Sequence, residues 1–165
     1  MGAVLLAAAF LLFIFTAVMK PEISRLARAP FPHFTDVQTR NQDVDHLRHI
    51  NNVSIAAYYD EARARFTQAI LERAGDILGL RLVTAQANIS YLAEVFHPGV
   101  PRIGCGVLRI GASSYEIGQA LFQNGHCGGV CTAVFVNAPQ RGSAPLPPKL
   151  VEVLQDLVLE DAPVG

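Results

Sequence analysis

The sequence predicts an α+β fold in which one antiparallel sheet wraps around a single long central helix. Residues 51–74 form a helical pattern that contains no Pro or Gly. Four strand-like runs follow this pattern, at residues 81–95, 102–110, 115–123 and 127–137. Strands grouped after a single helix are typical of an antiparallel sheet that packs on that helix.

The long helix has clear start and stop signals. Asn51 or Asn52 can cap it, because an Asn side-chain oxygen accepts from the free amides of the first turn. Gly75 ends it, since glycine tolerates the left-handed conformation just beyond a helix. Glu61 and Arg65 are expected to form a solvated ion pair on its outer side. The opposite side carries an apolar stripe at helical spacing, formed by Ile55, Tyr59, Ala62, Phe66 and Ile70.

The strand-like runs differ in how they alternate. Residues 81–95 alternate apolar and polar side chains, which predicts a half-buried strand. Asn124-Gly125 predicts a tight hairpin between the last two runs. A weak alternation at residues 34–40 predicts a first strand, and residues 149–158 predict a short amphipathic helix. The last three runs are apolar on both alternating sets, so we expect both faces of the sheet to be covered. The long helix can cover one face, and a second subunit is expected to cover the other face or the sheet edge.

Composition excludes some classes of function. The chain has 165 residues, which predicts one domain, and it is 51% hydrophobic with a net charge of −1. A sequence-independent nucleic-acid binder would carry a basic stripe, so no nucleic-acid partner is expected. Cys127 and Cys131, with His126 beside them, would place two thiols on one face of a strand. A zinc site needs about four converging ligands. We therefore interpret these thiols and Cys105 as buried and reduced, and we expect no metal and no cofactor.

The N-terminus is apolar. Residues 1–19 carry no charge and are marginally long enough to span a membrane. Lys20, Arg25 and Arg28 follow, which by the positive-inside rule predicts a membrane anchor with a cytoplasmic domain. The alternative interpretation is that Met19 is the true start of the protein, and the sequence leaves both open.

The proline-rich stretch that follows suggests the domain boundaries. Residues 20–33 are interpreted as a linker, residues 34–158 as the folded domain and residues 159–165 as a tail. A chain that begins at Pro30 is therefore expected to fold on its own.

One motif resembles a known family. The chain reads Asp-Val-Asp-His-Leu-Arg-His-Ile-Asn-Asn from Asp43, and the helix then presents Tyr58, Tyr59, Glu61, Ala62, Arg63 and Phe66. This resembles the hotdog-fold acyl-CoA thioesterases of the 4-hydroxybenzoyl-CoA thioesterase type. Their signature is D-x-D-x-x-G-H-[VM]-N-N, followed by an aromatic residue, E-A-R and F. The resemblance covers residues 34–158. It implies a hotdog fold and hydrolysis of an acyl thioester to free acid and coenzyme A.

The sequence departs from this signature at Arg48, where the family has Gly. Glycine lets a loop backbone approach a ligand closely. Some membrane-anchored relatives with an H-M-N-N version also lack this Gly. The departure favours the alternative function, a non-catalytic hotdog module for acyl binding or assembly.

The resemblance implies that Asp45 is the catalytic carboxylate, acting as nucleophile or general base. Its structural alternative is a turn or capping Asp. Backbone amides at the start of the helix would then stabilise negative charge on the carbonyl oxygen. The substrate-binding candidates are His49, Asn51, Asn52 and Ser114. Their structural alternatives are loop support for His49, capping for the two Asn residues and turn chemistry for Ser114. Asp43 is interpreted as a structural acid that pairs with Arg40.

The remaining expectations concern partners and a competing activity. The expected substrate is an acyl thioester of coenzyme A or acyl carrier protein, whose phosphates could contact Arg102, Arg109, Arg141 or Lys149. We expect a homodimer or a tetramer of dimers, because hotdog subunits pair side by side and build their active sites at the junction. A hotdog hydratase would use a His with an acid. His97-Pro98-Gly99 is the candidate, but it follows the long helix, which is the wrong order for that branch.

Overall fold

The computed structural model describes residues 21–139 and 142–160. The helices are α1 (Pro21–Leu26), α2 (Asn52–Ala74) and α3 (Pro148–Gln155), with a short 3-10 helix at Asn41–Asp43. The strands are β1 (His33–Asp36), β2 (Leu82–Tyr91), β3 (Arg102–Ile110), β4 (Ser114–Gln123) and β5 (His126–Asn137). They form one antiparallel sheet in the order β1-β3-β4-β5-β2. Helix α2 shares a core with this sheet, which confirms the predicted α+β arrangement.

Helix α2 begins and ends as its sequence predicts. Asn51 is the N-cap, and its Oδ1 accepts from the Ser54 amide at 2.8 Å. Gly75 follows the last turn with φ of 71°. The predicted stripe is buried, and Glu61 and Arg65 pair at 2.7 Å with both side chains about half exposed. The length of α2 therefore follows from local chemistry at its two ends.

The two edge strands are shorter than predicted. β1 ends at Asp36, although the amides of Val37 and Thr39 still donate to the carbonyls of Pro101 and Gly99. β2 ends at Tyr91, and its residues 84–88 are all exposed. A bulge between Thr84 and Gln86 shifts the register, and β2 lies at the edge of the sheet. The prediction that β2 alternates as a half-buried strand is therefore wrong.

The chain itself covers much of the sheet face that points away from α2. Leu26, Phe31 and Leu159 are buried in a second apolar cluster on this face. Glycines of β3 and β4 leave room for these side chains, because a Cβ at each would collide with the residue above it: Gly104 with Phe31, Gly106 with Leu159, and Gly118 with Leu26. The expectation that a second subunit covers this face is therefore wrong where these side chains pack.

The structure also moves the expected boundaries. The segment interpreted as a linker contains α1 and the buried Leu26, which is 3% exposed. The segment interpreted as a tail begins with Leu159, whose amide donates to the Val107 carbonyl at 2.8 Å. Residues 23–159 thus contribute to the packed structure. That a chain starting at Pro30 folds independently stays a prediction, and such a chain would lack the buried Leu26.

The predicted anchor at residues 1–19 lies outside the described residues. Among the helices of residues 21–139 and 142–160, none has the length and hydropathy needed to cross a membrane.

Candidate functional site

The loop that carries Asp45 closes on itself before α2 begins. Val44 and Ile50 form an antiparallel bridge across its base. The Asp45 amide donates to the His49 carbonyl at 2.9 Å, and the Arg48 amide donates to the Asp45 carbonyl at 3.1 Å. Arg48 has a φ of 69°, the left-handed region that favours glycine, as the family signature has at this position. The loop therefore keeps the glycine conformation without the glycine.

Asp43 holds this loop to α2, as the interpretation of Asp43 as a structural acid requires. Its side chain is buried and pairs with the Arg40 guanidinium at 2.9 Å. Tyr58 and Ser54, both on α2, donate to the same carboxylate at 2.5 and 3.2 Å. The hydrogen bond from Arg40, supported by the one from Tyr58, keeps the pKa of Asp43 below its ordinary range although burial acts in the opposite direction.

Asp45, His49 and Glu94 lie in a row at the surface of the loop. His49 Nδ1 is 3.4 Å from Asp45 Oδ2, and His49 Nε2 is 3.7 Å from Glu94 Oε1. The side chains of Asp45 and His49 are 23% and 21% exposed. Asp45 Oδ1 accepts from the Leu47 amide at 2.8 Å, which leaves Oδ2 on the His49 side. Sequence reasoning missed Glu94, because it occupies an ordinary polar position of an alternating pattern.

A cavity of about 240 Å³ opens beside this row, at the first turn of α2. His49, Asn52 and Ile55 line one side, and residues 91–95 line the other. The Asn51 side chain does not line this cavity. Its Oδ1 accepts from the Ser54 amide, and its Nδ2 donates to the Asp43 carbonyl at 2.8 Å. The structure thus places Asp45 beside His49, and His49 and Asn52 in the lining of one cavity, which Asp45 itself does not line. Asn51 serves as the helix cap.

Ser114 lies far from this loop within the same subunit. Tyr91, which lines the cavity, pairs with Gly129, and Gly129 pairs with Leu121 on β4. Ser114 is at the other end of β4, a distance of roughly 23 Å at the usual rise of a strand. The structure therefore does not bring Ser114 together with the other candidates.

His97, Arg102 and Arg109, which were candidates for other roles, have structural partners. His97 Nδ1 is 2.9 Å from the Thr39 hydroxyl, which also accepts from the Gly99 amide at 2.9 Å. This arrangement ties the His97-Pro98-Gly99 turn to the segment after β1. Of the cations considered for phosphates, Arg102 stacks on Phe34 at 4.3 Å, Arg109 lies 3.9 Å from Glu116, and Arg141 is outside the described residues.

Cys127 and Cys131 do not lie on one face of β5 as predicted. Cys131 lies in the core between α2 and the sheet, whereas Cys127 lies in the cluster on the other face. The pairing of β4 and β5 shifts register between Leu121 and Phe122, where Gly128 is the extra residue, so the alternation reverses between the two thiols. Burial raises the pKa of Cys131 to about 11, which keeps this thiol protonated. Across the part of the chain that the structure describes, no three His, Cys, Asp or Glu side chains form a metal-binding group.

The sequence profile of the thioesterase-like superfamily matches residues 39–154, well over half of the chain. The chain belongs to this superfamily. Among solved structures, a Pseudomonas aeruginosa protein is 27% identical with a TM-score of 0.66, over 80% of this chain and 95% of that one. A Thermus thermophilus thioesterase complexed with coenzyme A and Zn is 27% identical with a TM-score of 0.68, over 77% and 94%. A predicted thioesterase of Bacillus stearothermophilus is 21% identical with a TM-score of 0.69, over 78% and 98%. No curated protein matches the sequence.

These similarities confirm the hotdog fold of this thioesterase-like protein. The matched range contains the Asp45 loop, all of α2 and the residues that line the cavity of about 240 Å³. The candidate site therefore lies in the part of the protein that is shared with the superfamily.

Proposed function

We propose that this thioesterase-like protein hydrolyses an acyl thioester of coenzyme A or acyl carrier protein to a free acid and a thiol, as a member of the 4-hydroxybenzoyl-CoA thioesterase type. The position of Asp45 and His49, 3.4 Å apart beside a cavity at the start of α2, is the observation that supports this most. The coenzyme A bound to the Thermus thermophilus relative supports coenzyme A as one of these two carriers.

Asp45 would act through Oδ2, because the Leu47 amide occupies Oδ1. As a general base, it takes a proton from a water molecule whose oxygen attacks the carbonyl carbon of the thioester. The thiolate then leaves and is protonated. As a nucleophile, Asp45 forms an acyl-aspartate anhydride and expels the thiolate, and water hydrolyses the anhydride. Both routes need the carboxylate charge on this one residue.

His49 and Asn52, which line the cavity, have supporting roles in this proposal. His49 holds the Asp45 carboxylate in place from one ring nitrogen and lies near Glu94 with the other. The first amides of a helix have no acceptor within the helix. The Asn51 side chain accepts from one of them, the amide of Ser54. The amides of Asn52 and Val53 are then the donors for the carbonyl oxygen as it becomes negative.

Assembly is part of the proposed function, because Ser114 can reach the site beside Asp45 only from another subunit. We infer that two copies pair through β2. This strand is a sheet edge of ten residues without charge or proline. Natural proteins usually blunt such an edge with Lys, Pro or a very short strand. Exposed Tyr91 and Val53 flank the same edge near the cavity.

A non-catalytic acyl-binding module is the second candidate function. Arg48 favours it, because a bulky side chain extends from the loop position where the family has Gly. Such a side chain would obstruct close approach of a thioester to the loop backbone while leaving the cavity intact.

The test is hydrolysis of an acyl-CoA panel by the full-length protein, measured as release of free thiol. A thioesterase gives saturable turnover above buffer for at least one acyl chain, and Asp45→Asn abolishes it. Asp36→Asn is the matched control, since Asp36 is an exposed carboxylate on β1. Acyl-CoA binding without turnover would reject the enzyme in favour of the acyl-binding module.

A further inference from the structure

Glu94 is held opposite His49 by backbone hydrogen bonds on both of its sides. The Ile50 amide, which follows His49, donates to the Val95 carbonyl at 2.7 Å. Val95 is the residue after Glu94. On the other side of Glu94, the Ala93 amide donates to a carbonyl of β5 at 3.1 Å. The neighbours of the two side chains are therefore joined, so their proximity follows from the fold.

The chain beyond Glu94 is fixed as well. Val95 is buried, with 1% exposure. Gln123, the last residue of β4, accepts from the Phe96 amide at 2.9 Å and donates to the Phe96 carbonyl at 2.8 Å. A side chain that orients a reacting group acts best from a rigid segment. The segment that carries Glu94 has this rigidity.

The His49 ring lies between two carboxylates. Its Nδ1 is 3.4 Å from Asp45 Oδ2, and its Nε2 is 3.7 Å from Glu94 Oε1. A carboxylate only accepts hydrogen bonds, so Glu94 favours a hydrogen on Nε2. Nδ1 can then donate to the Asp45 carboxylate, or accept from the Asp45 carboxyl once it has taken a proton.

We propose that Glu94 is a positioning residue for the hydrolysis: it accepts from the N–H at Nε2 of His49 and so keeps Nδ1 directed at Asp45. The proposal rests on the proposed function, because it assigns Glu94 no activity of its own. The bond that one ring nitrogen makes decides which nitrogen carries the hydrogen. Without the Glu94 carboxylate the ring can rotate by half a turn, and Nδ1 then faces Asp45 in only a fraction of the molecules.

Steady-state kinetics of the full-length protein on one acyl-CoA substrate tests whether Glu94 acts through His49. Glu94→Gln is expected to lower kcat about two- to fivefold, the scale of an exposed ion pair, and to leave KM nearly unchanged. Added to His49→Gln, it is expected to cause no further loss. Glu61→Gln is the matched control, because Glu61 is also a half-exposed carboxylate in an ion pair. It should leave kcat unchanged.

Nitrogen-15 NMR of the His49 ring locates the hydrogen without any turnover. Nε2 is expected to carry hydrogen in wild type and in Glu61→Gln, and to lose it in part of the molecules of Glu94→Gln. His49→Gln identifies the two ring signals by their absence. Because Glu94 is largely exposed, Glu94→Gln should fold like wild type. A Glu94 that served only stability would leave the ring signals unchanged.

Two results would overturn the proposal: equal ring signals in wild type and Glu94→Gln, or an equal loss of kcat from Glu94→Gln with and without His49. The second result would mean that Glu94 contacts the substrate directly. Wild type without turnover would refute the proposed function itself, and the role of Glu94 with it, whatever the ring signals show. Turnover with unchanged ring signals would refute the role of Glu94 alone.

Discussion

Tyr58 donates its hydroxyl hydrogen to Oδ2 of Asp43 at 2.5 Å. This bond joins the second turn of α2 to the segment before the Asp45 loop. The Asp43 carbonyl also accepts from the Asn51 amide at 2.9 Å, at the other end of that loop. Asp43 therefore fixes both ends of the loop relative to the helix, and the position of Asp45 depends on it.

We expect Asp43→Asn to destabilise the protein by about 2–3 kcal/mol, because a buried carboxylate loses charged hydrogen bonds from Arg40 and Tyr58. Tyr58→Phe, which removes one of these donors, should cost about 1–2 kcal/mol. Chemical denaturation of both variants measures this. Equal stability of Asp43→Asn and wild type would contradict the structural role of Asp43.

The same pair predicts a pH dependence. The folded protein lowers the pKa of Asp43, chiefly through the Arg40 hydrogen bond, so the stabilisation is fully present above the unfolded value of about 4. It is lost as the pH falls below that value. The stability difference between wild type and Asp43→Asn should therefore be smaller at pH 3 than at pH 7, and an unchanged difference would argue against this pKa shift.

A second prediction concerns Leu26, which is buried over Gly118 on the outer face of the sheet. Leu26→Ala should cost about 2–5 kcal/mol, because it leaves a cavity between α1 and β4. Leu78→Ala is the control, because Leu78 is fully exposed. Its substitution should change the free energy of unfolding by no more than about 0.5 kcal/mol. Similar stabilities of the two variants in denaturant titrations would show that α1 does not pack on the sheet.

The fold could be predicted where local chemistry decides it. The Asn51 cap, the Gly75 stop and the Asn124-Gly125 turn act within a few residues, and the structure has all three. The packing of Leu26 could not be predicted, because the space for it is created by Gly118 on β4, about ninety residues away in the sequence. The faces of Cys127 and Cys131 were predicted wrongly because one bulge at Gly128 reverses the alternation.

The same difference between local and long-range contacts decides which residues of the candidate site could be predicted. Asp45, His49 and Asn52 lie close in the sequence, so the loop and the first turn of α2 place Asp45 beside His49, and His49 beside the same cavity as Asn52. Glu94 joins them only through the return of the chain after β2, which no local pattern indicates. Ser114 was proposed from its turn, and the strand register places it at the far end of β4.

Arg48 supplies a third prediction. A side chain at a φ of 69° costs roughly 1–2 kcal/mol relative to glycine, so Arg48→Gly should stabilise the protein by about 1 kcal/mol. Arg65→Gly, in the exposed middle of α2, should destabilise by about 1 kcal/mol and serves as the opposite control. Thermal and chemical denaturation compare the two, and a loss of stability in Arg48→Gly would mean that the arginine side chain itself holds the loop.

The β2 edge supplies a fourth prediction. Ala87 is exposed in the middle of this strand, and Ala87→Lys places a charge on the edge that we infer to pair. Light scattering should show an oligomer for wild type and a smaller species for this variant. Ala112→Lys, an exposed site in the turn between β3 and β4, should leave the assembly unchanged. A wild-type protein that is monomeric at micromolar concentration would refute pairing through β2.

The last prediction concerns the proposed role of Asp45. Asp45→Asn keeps the size of the side chain and an oxygen that can still accept from the Leu47 amide. It removes the charge and basicity of the Oδ2 position. Because the side chain is at the surface of the loop, stability and assembly should change little. General base catalysis contributes about 10²–10⁴-fold, so kcat should fall by that factor while KM changes little, as for an interaction made only in the transition state.

The matched variants are Glu94→Gln and Glu61→Gln, which neutralise the carboxylate beyond His49 and a carboxylate on the outer side of α2. Glu61→Gln should retain wild-type turnover. Glu94→Gln should lower kcat less than Asp45→Asn, because in the proposed mechanism Asp45 carries the reacting oxygen, whereas Glu94 lines the cavity and supports His49. Steady-state kinetics on one acyl-CoA substrate compares all three. If Asp45→Asn turns over the thioester at nearly the wild-type rate while Glu94→Gln does not, the reacting carboxylate is Glu94, on the other side of His49.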